Sequence, residues 1–165
     1  MKSMVLIAHN LRSSHNAGSL LRTAEGLGVD QVFLTGYSPY PLHAGDSRLP
    51  HIARKVSAQI SKTALGAEDL VAWRHEDNLM PVLDSLKQEG YVICAVEQDK
   101  TSIKLPDFKP PEKLVLIVGR EVEGLEPEII AACDHVLEIP MFGHKESFNV
   151  VQAAAIAMYH CRFSV

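Results

Sequence analysis

Three short segments combine glycine with polar side chains in a way that packing alone does not require. The first runs from Asn16 to Gly26, and in it Arg22 falls off the apolar stripe of a predicted helix that Asn16 would cap. Gly18 and Gly26 lie one turn to either side of Arg22, although a helical glycine costs roughly 1 kcal/mol relative to alanine. We expect this space to receive a flat or phosphate-bearing ligand, or else a closely packed helix.

The second segment, residues 119–125, reads GREVEGL and follows an apolar run that is typical of a buried strand. Parallel α/β folds place ligands at such turns, because glycine lets the backbone approach a ligand closely. The segment is neither a GxGxxG dinucleotide fingerprint nor a P-loop.

The third segment, residues 139–150, is irregular and leads into an apolar helix. Ser147 is predicted to cap this helix, and capping then leaves Asn149 unexplained. The helix is apolar on nearly all sides, so we expect the sheet and a second subunit to bury it, with Ala154 and Met158 at the dimer contact.

Short apolar runs alternate with helical patterns along the chain. Because strands buried on both faces read as runs of Val, Ile and Leu, this alternation predicts an α/β domain over residues 1–165 with a mainly parallel sheet. We expect strands at 5–8, 31–35, 70–73, 91–96, 114–118 and 135–139, and helices at 17–27, 50–59, 77–89, 127–132 and 147–161. Two connections that contain prolines, 36–49 and 101–112, are expected to be irregular.

The composition argues against several classes of protein. A formal net charge of −4 disfavours nucleic-acid binding by bulk charge alone. No apolar run approaches the ~20 residues of a membrane helix, and a cytoplasmic protein is predicted. Three cysteines without CxxC spacing and eight histidines without a ligand motif predict neither a disulfide framework nor a metal site.

Taken together, the three segments resemble the SpoU branch of the SPOUT RNA methyltransferases, the TrmH family. The first is similar to N-x-G-x-x-x-R-[TN]-A, at Asn16, Gly18, Arg22, Thr23 and Ala24. The second is similar to G-x-E-x-x-G-L, at Gly119, Glu121, Gly124 and Leu125. The third is similar to I-P-M-x-G-x-x-x-S-L-N-V, at Ile139, Pro140, Met141, Gly143, Ser147, Asn149 and Val150. The chain departs from these motifs at Arg120, Phe148 and Val151.

The resemblance implies an α/β fold with helices on both faces of the sheet, a deep trefoil knot near the C-terminus and a homodimer that completes the site. It implies S-adenosylmethionine as cofactor, no metal, and methyl transfer to a ribose 2′-hydroxyl of tRNA or rRNA. The residues implied in catalysis are Arg22, Asn16, Glu121 and Asn149. The residues implied in cofactor binding are Val96, Gly119, Gly124, Ile139, Met141, Ser147 and Phe148. Basic side chains expected to meet the RNA backbone are His43, Arg48, His51 and Arg54.

An arginine stays protonated near neutral pH. We therefore expect Arg22 to clamp a phosphate and stabilise the developing alkoxide, while a substrate phosphate or a water takes the proton. Two alternatives stay open. A knotted RNA-binding or assembly protein could keep the cofactor site without turnover, to which Arg120 and Phe148 point, or an unrelated nucleotide-binding domain could use the glycine-rich turn alone.

Overall fold

The computed structural model describes residues 2–164, which form a seven-stranded sheet and five α-helices. The strands are β1 (Ser3–His9), β2 (Gln31–Thr35), β3 (Trp73–Glu76), β4 (Val92–Val96), β5 (Ile103–Lys104), β6 (Lys113–Val118) and β7 (His135–Glu138). The helices are α1 (Ser14–Gly26), α2 (Pro50–Ala64), α3 (Leu79–Gln88), α4 (Pro127–Ala132) and α5 (Val150–Phe163).

Every strand pairing is parallel, and the strand order is β3-β2-β1-β6-β4-β7-β5. Side chains of β1 alternate between two cores: Met4 and Leu6 pack with α1, α2 and α5, whereas Val5 and Ile7 pack with α3 and α4. The predicted parallel α/β sheet with helices on both faces is therefore confirmed, and its central strands are buried on both sides, as their apolar runs require.

The strand order brings three chain segments to one edge of the sheet. Strand β4 lies between β6 and β7, so the carboxyl ends of these three neighbours are adjacent. The segments that begin at residues 97, 119 and 139 leave the sheet there. The second and third motifs are thus placed side by side.

Two elements at the sheet edges differ from the prediction. The strand expected at 70–73 begins later, at Trp73, and is β3. Residue Leu70 follows a 3₁₀ turn at Ala67–Asp69 and is 73% exposed, so it does not belong to the sheet. The two-residue strand β5 lies inside the connection expected to be irregular, and β7 is its one partner within residues 2–164.

Both predicted N-caps are wrong by a few residues. Helix α1 begins at Ser14, and the Ser13 side chain caps it by accepting a hydrogen bond from the backbone N–H of Asn16, at 3.1 Å. Helix α5 begins at Val150, and the Asn149 side chain caps it by accepting from the N–H of Val151, at 2.9 Å. Capping therefore explains Asn149 and does not explain Ser147.

Packing decides between the two expectations for Gly18 and corrects the expectation for α5. Gly18 is buried against α2, where an added Cβ would lie 2.2 Å from both the carbonyl oxygen of Ile60 and Oγ1 of Thr63. The space at Gly18 is therefore filled by a neighbouring helix and not by a ligand. Ala154 and Met158 are fully buried in the core of this chain, so neither lies at a dimer contact.

Candidate active site

A cleft opens at the carboxyl ends of β4, β6 and β7. The seven residues implied in cofactor binding all line it: Val96, Gly119, Gly124, Ile139, Met141, Ser147 and Phe148. The sequence analysis missed Glu97 and Gln98, which also line the cleft because they follow β4 directly. Their position after an apolar strand was the signal that could have found them.

The segment 119–125 is a closed backbone loop. The N–H of Gly124 donates to the carbonyl oxygen of Arg120 at 3.1 Å, and the N–H of Arg120 donates back to the carbonyl oxygen of Gly124 at 3.3 Å. A Cβ at Gly119 would lie 2.7 Å from the carbonyl carbon of Gly124, and Gly124 has a φ of +69°. Glycine is favoured at residue 119 because a Cβ would collide with the backbone of residue 124, and at residue 124 because a side chain is strained at this positive φ.

The cleft has the chemistry that an adenosyl group needs. Apolar side chains form one part of its lining, and peptide groups of the loop 119–125 form another. Flat apolar rings with polar edges are held by such combinations, in which apolar contact gives affinity and a few peptide groups fix orientation. The residues present therefore fit S-adenosylmethionine.

Glu121 points from this loop to the start of α1. Its Oε1 accepts hydrogen bonds from the Ser13 N–H at 3.2 Å and the Asn16 side-chain amide at 3.1 Å, and its Oε2 accepts from the Arg12 N–H at 3.2 Å. Burial opposes ionisation of Glu121, but the hydrogen bonds from Asn16 and the backbone outweigh it and lower its pKa. Two of the residues implied in catalysis, Asn16 and Glu121, are thus in direct contact.

Arg120 is held at the cleft wall by its own loop and by the segment that follows. Its Nη2 lies 3.3 Å from Oε1 of Glu126, and its Nε donates to the carbonyl oxygen of Gly124 at 3.3 Å. Oε2 of Glu126 is buried without a hydrogen-bond partner within residues 2–164, 3.7 Å from Nε2 of His9. Burial lowers the pKa of His9, although the Glu126 carboxylate opposes that shift.

The other two residues implied in catalysis lie apart from this contact. Arg22 is exposed on α1, does not line the cleft, and forms no ion pair within residues 2–164. Asn149 is exposed at the start of α5, with its side-chain oxygen used for the cap.

The basic residues expected to meet RNA divide into two groups. His43, His51 and Arg54 are exposed. Arg48, by contrast, is bonded inside the loop 36–49: its Nε donates to Asp46 at 2.9 Å, and its guanidinium lies 3.6 Å from the ring centre of Tyr40. The Arg48 hydrogen bonds hold the pKa of Asp46 far below its usual range. This geometry assigns Arg48 to ordering the loop and leaves it a poor phosphate ligand.

Comparison with known proteins decides the family. The model of the SpoU rRNA Methylase family matches residues 3–159. The chain belongs to this family. The predicted resemblance to the SpoU branch is confirmed.

The chain spans little more than half the length of the curated relatives that it matches. A Staphylococcus haemolyticus protein assigned to the TrmH family of tRNA/rRNA methyltransferases is 31% identical over 157 residues. The match covers 95% of this chain and 57% of that protein, so the chain spans little more than half of its relative's length.

Solved SpoU structures share the fold. The TrmH/SpoU tRNA modifying enzyme of A. aeolicus is 25% identical with a TM-score of 0.79, over 98% of this chain and 75% of that one. AviRb from Streptomyces viridochromogenes, solved with AdoMet, is 22% identical with a TM-score of 0.77, over 98% and 58%. A protein solved to study 2-OH methylation of C/U34 on tRNA is 23% identical with a TM-score of 0.75, over 97% and 94%. The SPOUT fold is confirmed, and the trefoil knot stays a prediction.

The described residues offer no membrane span and no cluster of metal ligands. No helix within residues 2–164 is long and apolar enough to cross a membrane. In the same residues, no group of three or more His, Cys, Asp or Glu side chains is placed to hold a metal ion.

Proposed function

We propose that this chain is an S-adenosylmethionine-dependent methyltransferase that acts on a ribose 2′-hydroxyl of tRNA or rRNA. The observation that carries the proposal is the cleft, which gathers all seven residues implied in cofactor binding at one edge of the sheet. Two relatives support it: AviRb binds AdoMet on the same fold, and a protein of similar length was studied for 2-OH methylation on tRNA.

Apolar side chains and peptide groups of the cleft would hold the cofactor. Val96, Ile139 and Met141 offer an apolar surface, and the loop 119–125 offers its backbone. When bound, S-adenosylmethionine supplies a methyl group on a positively charged sulfur, and the hydroxyl oxygen that accepts this group loses a proton. Holding the acceptor in line contributes several kcal/mol, which is the main work of the protein.

Arg22 would bind RNA and stabilise charge. Its guanidinium does not lose its proton near neutral pH, so it serves as a clamp for a phosphate and for the oxygen that becomes negative. Since Arg22 lies outside the cleft of its own chain, we favour a homodimer in which each subunit completes the other's site. A substrate phosphate or a water then takes the proton.

The direct test incubates the purified protein with tritiated S-adenosylmethionine and fractionated total RNA, and maps labelled nucleosides by mass spectrometry. Label at a 2′-O-methyl ribose is the expected result. Label on a base would contradict the proposed acceptor. Binding of S-adenosylhomocysteine without any label would favour a non-catalytic RNA-binding protein, the alternative that Arg120 and Phe148 in the cleft lining suggest.

Replacing Arg22 separates its role from cofactor binding. Arg22→Ala should lower methyl transfer by about 100-fold or more, because a positioned charge that acts on the reacting oxygen is lost. Its Kd for S-adenosylhomocysteine, measured by calorimetry, should stay within a few-fold of the wild-type value. Arg74→Ala, at an exposed arginine on edge strand β3, is the control and should keep full activity. Normal methylation by Arg22→Ala would remove this residue from the mechanism.

A further inference from the structure

Two consecutive residues at the end of β4 connect both walls of the cleft. Oε2 of Glu97 accepts a hydrogen bond from the N–H of Leu125 at 3.2 Å, at the end of the loop 119–125. The side-chain amide of Gln98 donates to the carbonyl oxygen of Glu146 at 2.5 Å, within the segment 139–149. The two cofactor loops are thus bonded to neighbouring residues of a third segment.

The Glu97 side of this connection is held by several contacts. Its Oε1 also accepts from the N–H of Gln98 at 2.8 Å, and its own N–H donates to the carbonyl oxygen of Leu137 at 3.0 Å. A Cβ at Gly124 would lie 2.1 Å from Oε2 of Glu97, so the carboxylate fills the space that a side chain would need. Glu97 and Gly124 therefore fit each other, and a side chain at residue 124 would displace the carboxylate.

The Gln98 side, by contrast, depends on a single bond. Residues 142–149 are all exposed. Within residues 2–164, the bond between Gln98 and Glu146 is the one hydrogen bond that joins residues 140–148 to another part of the chain. Breaking it would leave this wall held by apolar contacts alone.

We propose that Gln98 is a positioning residue that holds the segment 139–149 across the cleft, at a spacing from the loop 119–125 that Glu97 fixes. A cofactor that enters or leaves must pass between these walls. The hydrogen bond from Gln98 to Glu146, which we call the tether, therefore slows cofactor release. It sets affinity by ordering the segment 139–149, and Gln98 does not need to contact the ligand. This inference rests on the proposed function only for the identity of the ligand.

The test uses substitutions that separate the hydrogen bond from side-chain size. Gln98→Glu keeps the length of the side chain but replaces the donor with an acceptor, and Gln98→Lys restores a donor. Gln98→Glu and Gln98→Ala should increase the rate of chymotrypsin cleavage after Phe142 and Phe148 in the protein without ligand, because a segment no longer held by Gln98 is accessible to a protease more often. They should also raise the dissociation rate of S-adenosylhomocysteine by about 3- to 10-fold, the effect of one hydrogen bond of typical net strength. Gln98→Lys should recover most of the protection, and Gln88→Ala, at the exposed end of α3, should change neither measurement.

Each outcome decides a separate point. Gln98→Glu that matches the wild type in cleavage rate and in dissociation rate would overturn the proposal, as would Gln98→Lys that behaves like Gln98→Ala. A wild-type protein that fails to bind S-adenosylhomocysteine would contradict the proposed function, and the comparison of cleavage rates would still test the hydrogen bond between Gln98 and Glu146.

Discussion

One carboxylate, that of Glu121, joins two motifs that lie 105 residues apart in the chain. Both of its oxygens already accept hydrogen bonds, from the Arg12 and Ser13 backbone and from the Asn16 side chain. These bonds keep its pKa below the ordinary value, so Glu121 is a poor proton acceptor near neutral pH. Its role in the proposed site is to orient Asn16 and to hold the loop 119–125 in place.

Asn149 combines a cap with a proposed role in catalysis, and substitutions can separate the two. Asn149→Ala should lower the free energy of unfolding by about 1 kcal/mol, because the N–H of Val151 loses its acceptor. Asn149→Ser keeps an acceptor, so its stability in urea titration should remain within about 0.5 kcal/mol of the wild type. Methyl transfer by Asn149→Ser should still fall, since the side-chain amide is gone. Full activity in Asn149→Ser would reduce Asn149 to a cap.

The cap errors show what sequence can decide at the scale of one residue. Ser13, Ser14 and Asn16 are all good N-caps, as are Ser147 and Asn149, and their propensities differ by less than about 1 kcal/mol. The choice at α1 depends on Glu121, which recruits the Asn16 side chain from a distant segment. The local sequence pattern predicts a polar cap near the start of α1 and of α5, but it carries no information about the contact between Glu121 and Asn16.

At the scale of the element, apolar strands were predicted well and polar edge strands were not. The strands β1, β4 and β6 are short apolar runs because helices cover both their faces. Strand β3 reads WRHE and alternates between half-buried and exposed side chains at the sheet edge. The neighbouring apolar run at 70–73 is a stronger signal than this alternation, although Leu70 points to solvent.

The contact between α1 and α2 predicts opposite effects for two glycines of one helix. Gly18→Ala should destabilise the protein by about 1–3 kcal/mol, because the new Cβ would collide with the Ile60 carbonyl oxygen and push the helices apart. Gly26→Ala has nothing within 4 Å of its Cβ and should stabilise the protein by up to about 1 kcal/mol. Denaturant titration of both variants measures the difference. Equal effects at the two positions would contradict the packing described for Gly18.

At the scale of the whole molecule, α5 leaves an apolar face uncovered. Tyr159 is 61% exposed and Phe163 62% exposed, with their rings 4.7 Å apart. Both line a shallow apolar groove with Leu105 and Pro106. A face of this kind supports the proposed homodimer better than the buried residues Ala154 and Met158 that the sequence suggested.

Charge on this face should separate the proposed dimer. Tyr159→Glu is expected to shift the mass measured by light scattering from two copies towards one, because a carboxylate would be buried without a partner. The control, Leu70→Glu, places the same charge at a residue that is 73% exposed and distant in sequence from Tyr159. The mass of this variant measured by light scattering should not change. An unchanged mass for Tyr159→Glu, or a wild-type monomer, would contradict a dimer through α5.

The order of motifs predicted the cleft because parallel strands end at a common edge, whatever their order in the sheet. The sequence alone could not predict the strand order or the position of Arg22 outside the cleft. The first depends on which strands become neighbours and the second on how α1 packs against the sheet, and neither leaves a periodic signal in the sequence.

The position of β4 also has a consequence for synthesis of the chain. Its two neighbours, β6 and β7, are both made after it, and among the described residues it pairs with no strand that precedes it. A ribosome that has released β4 but not residues 113–138 therefore carries a nascent chain with an apolar strand and two unpaired edges. We expect the tendency of the nascent chain to aggregate to rise with the time that passes before residues 113–138 are released.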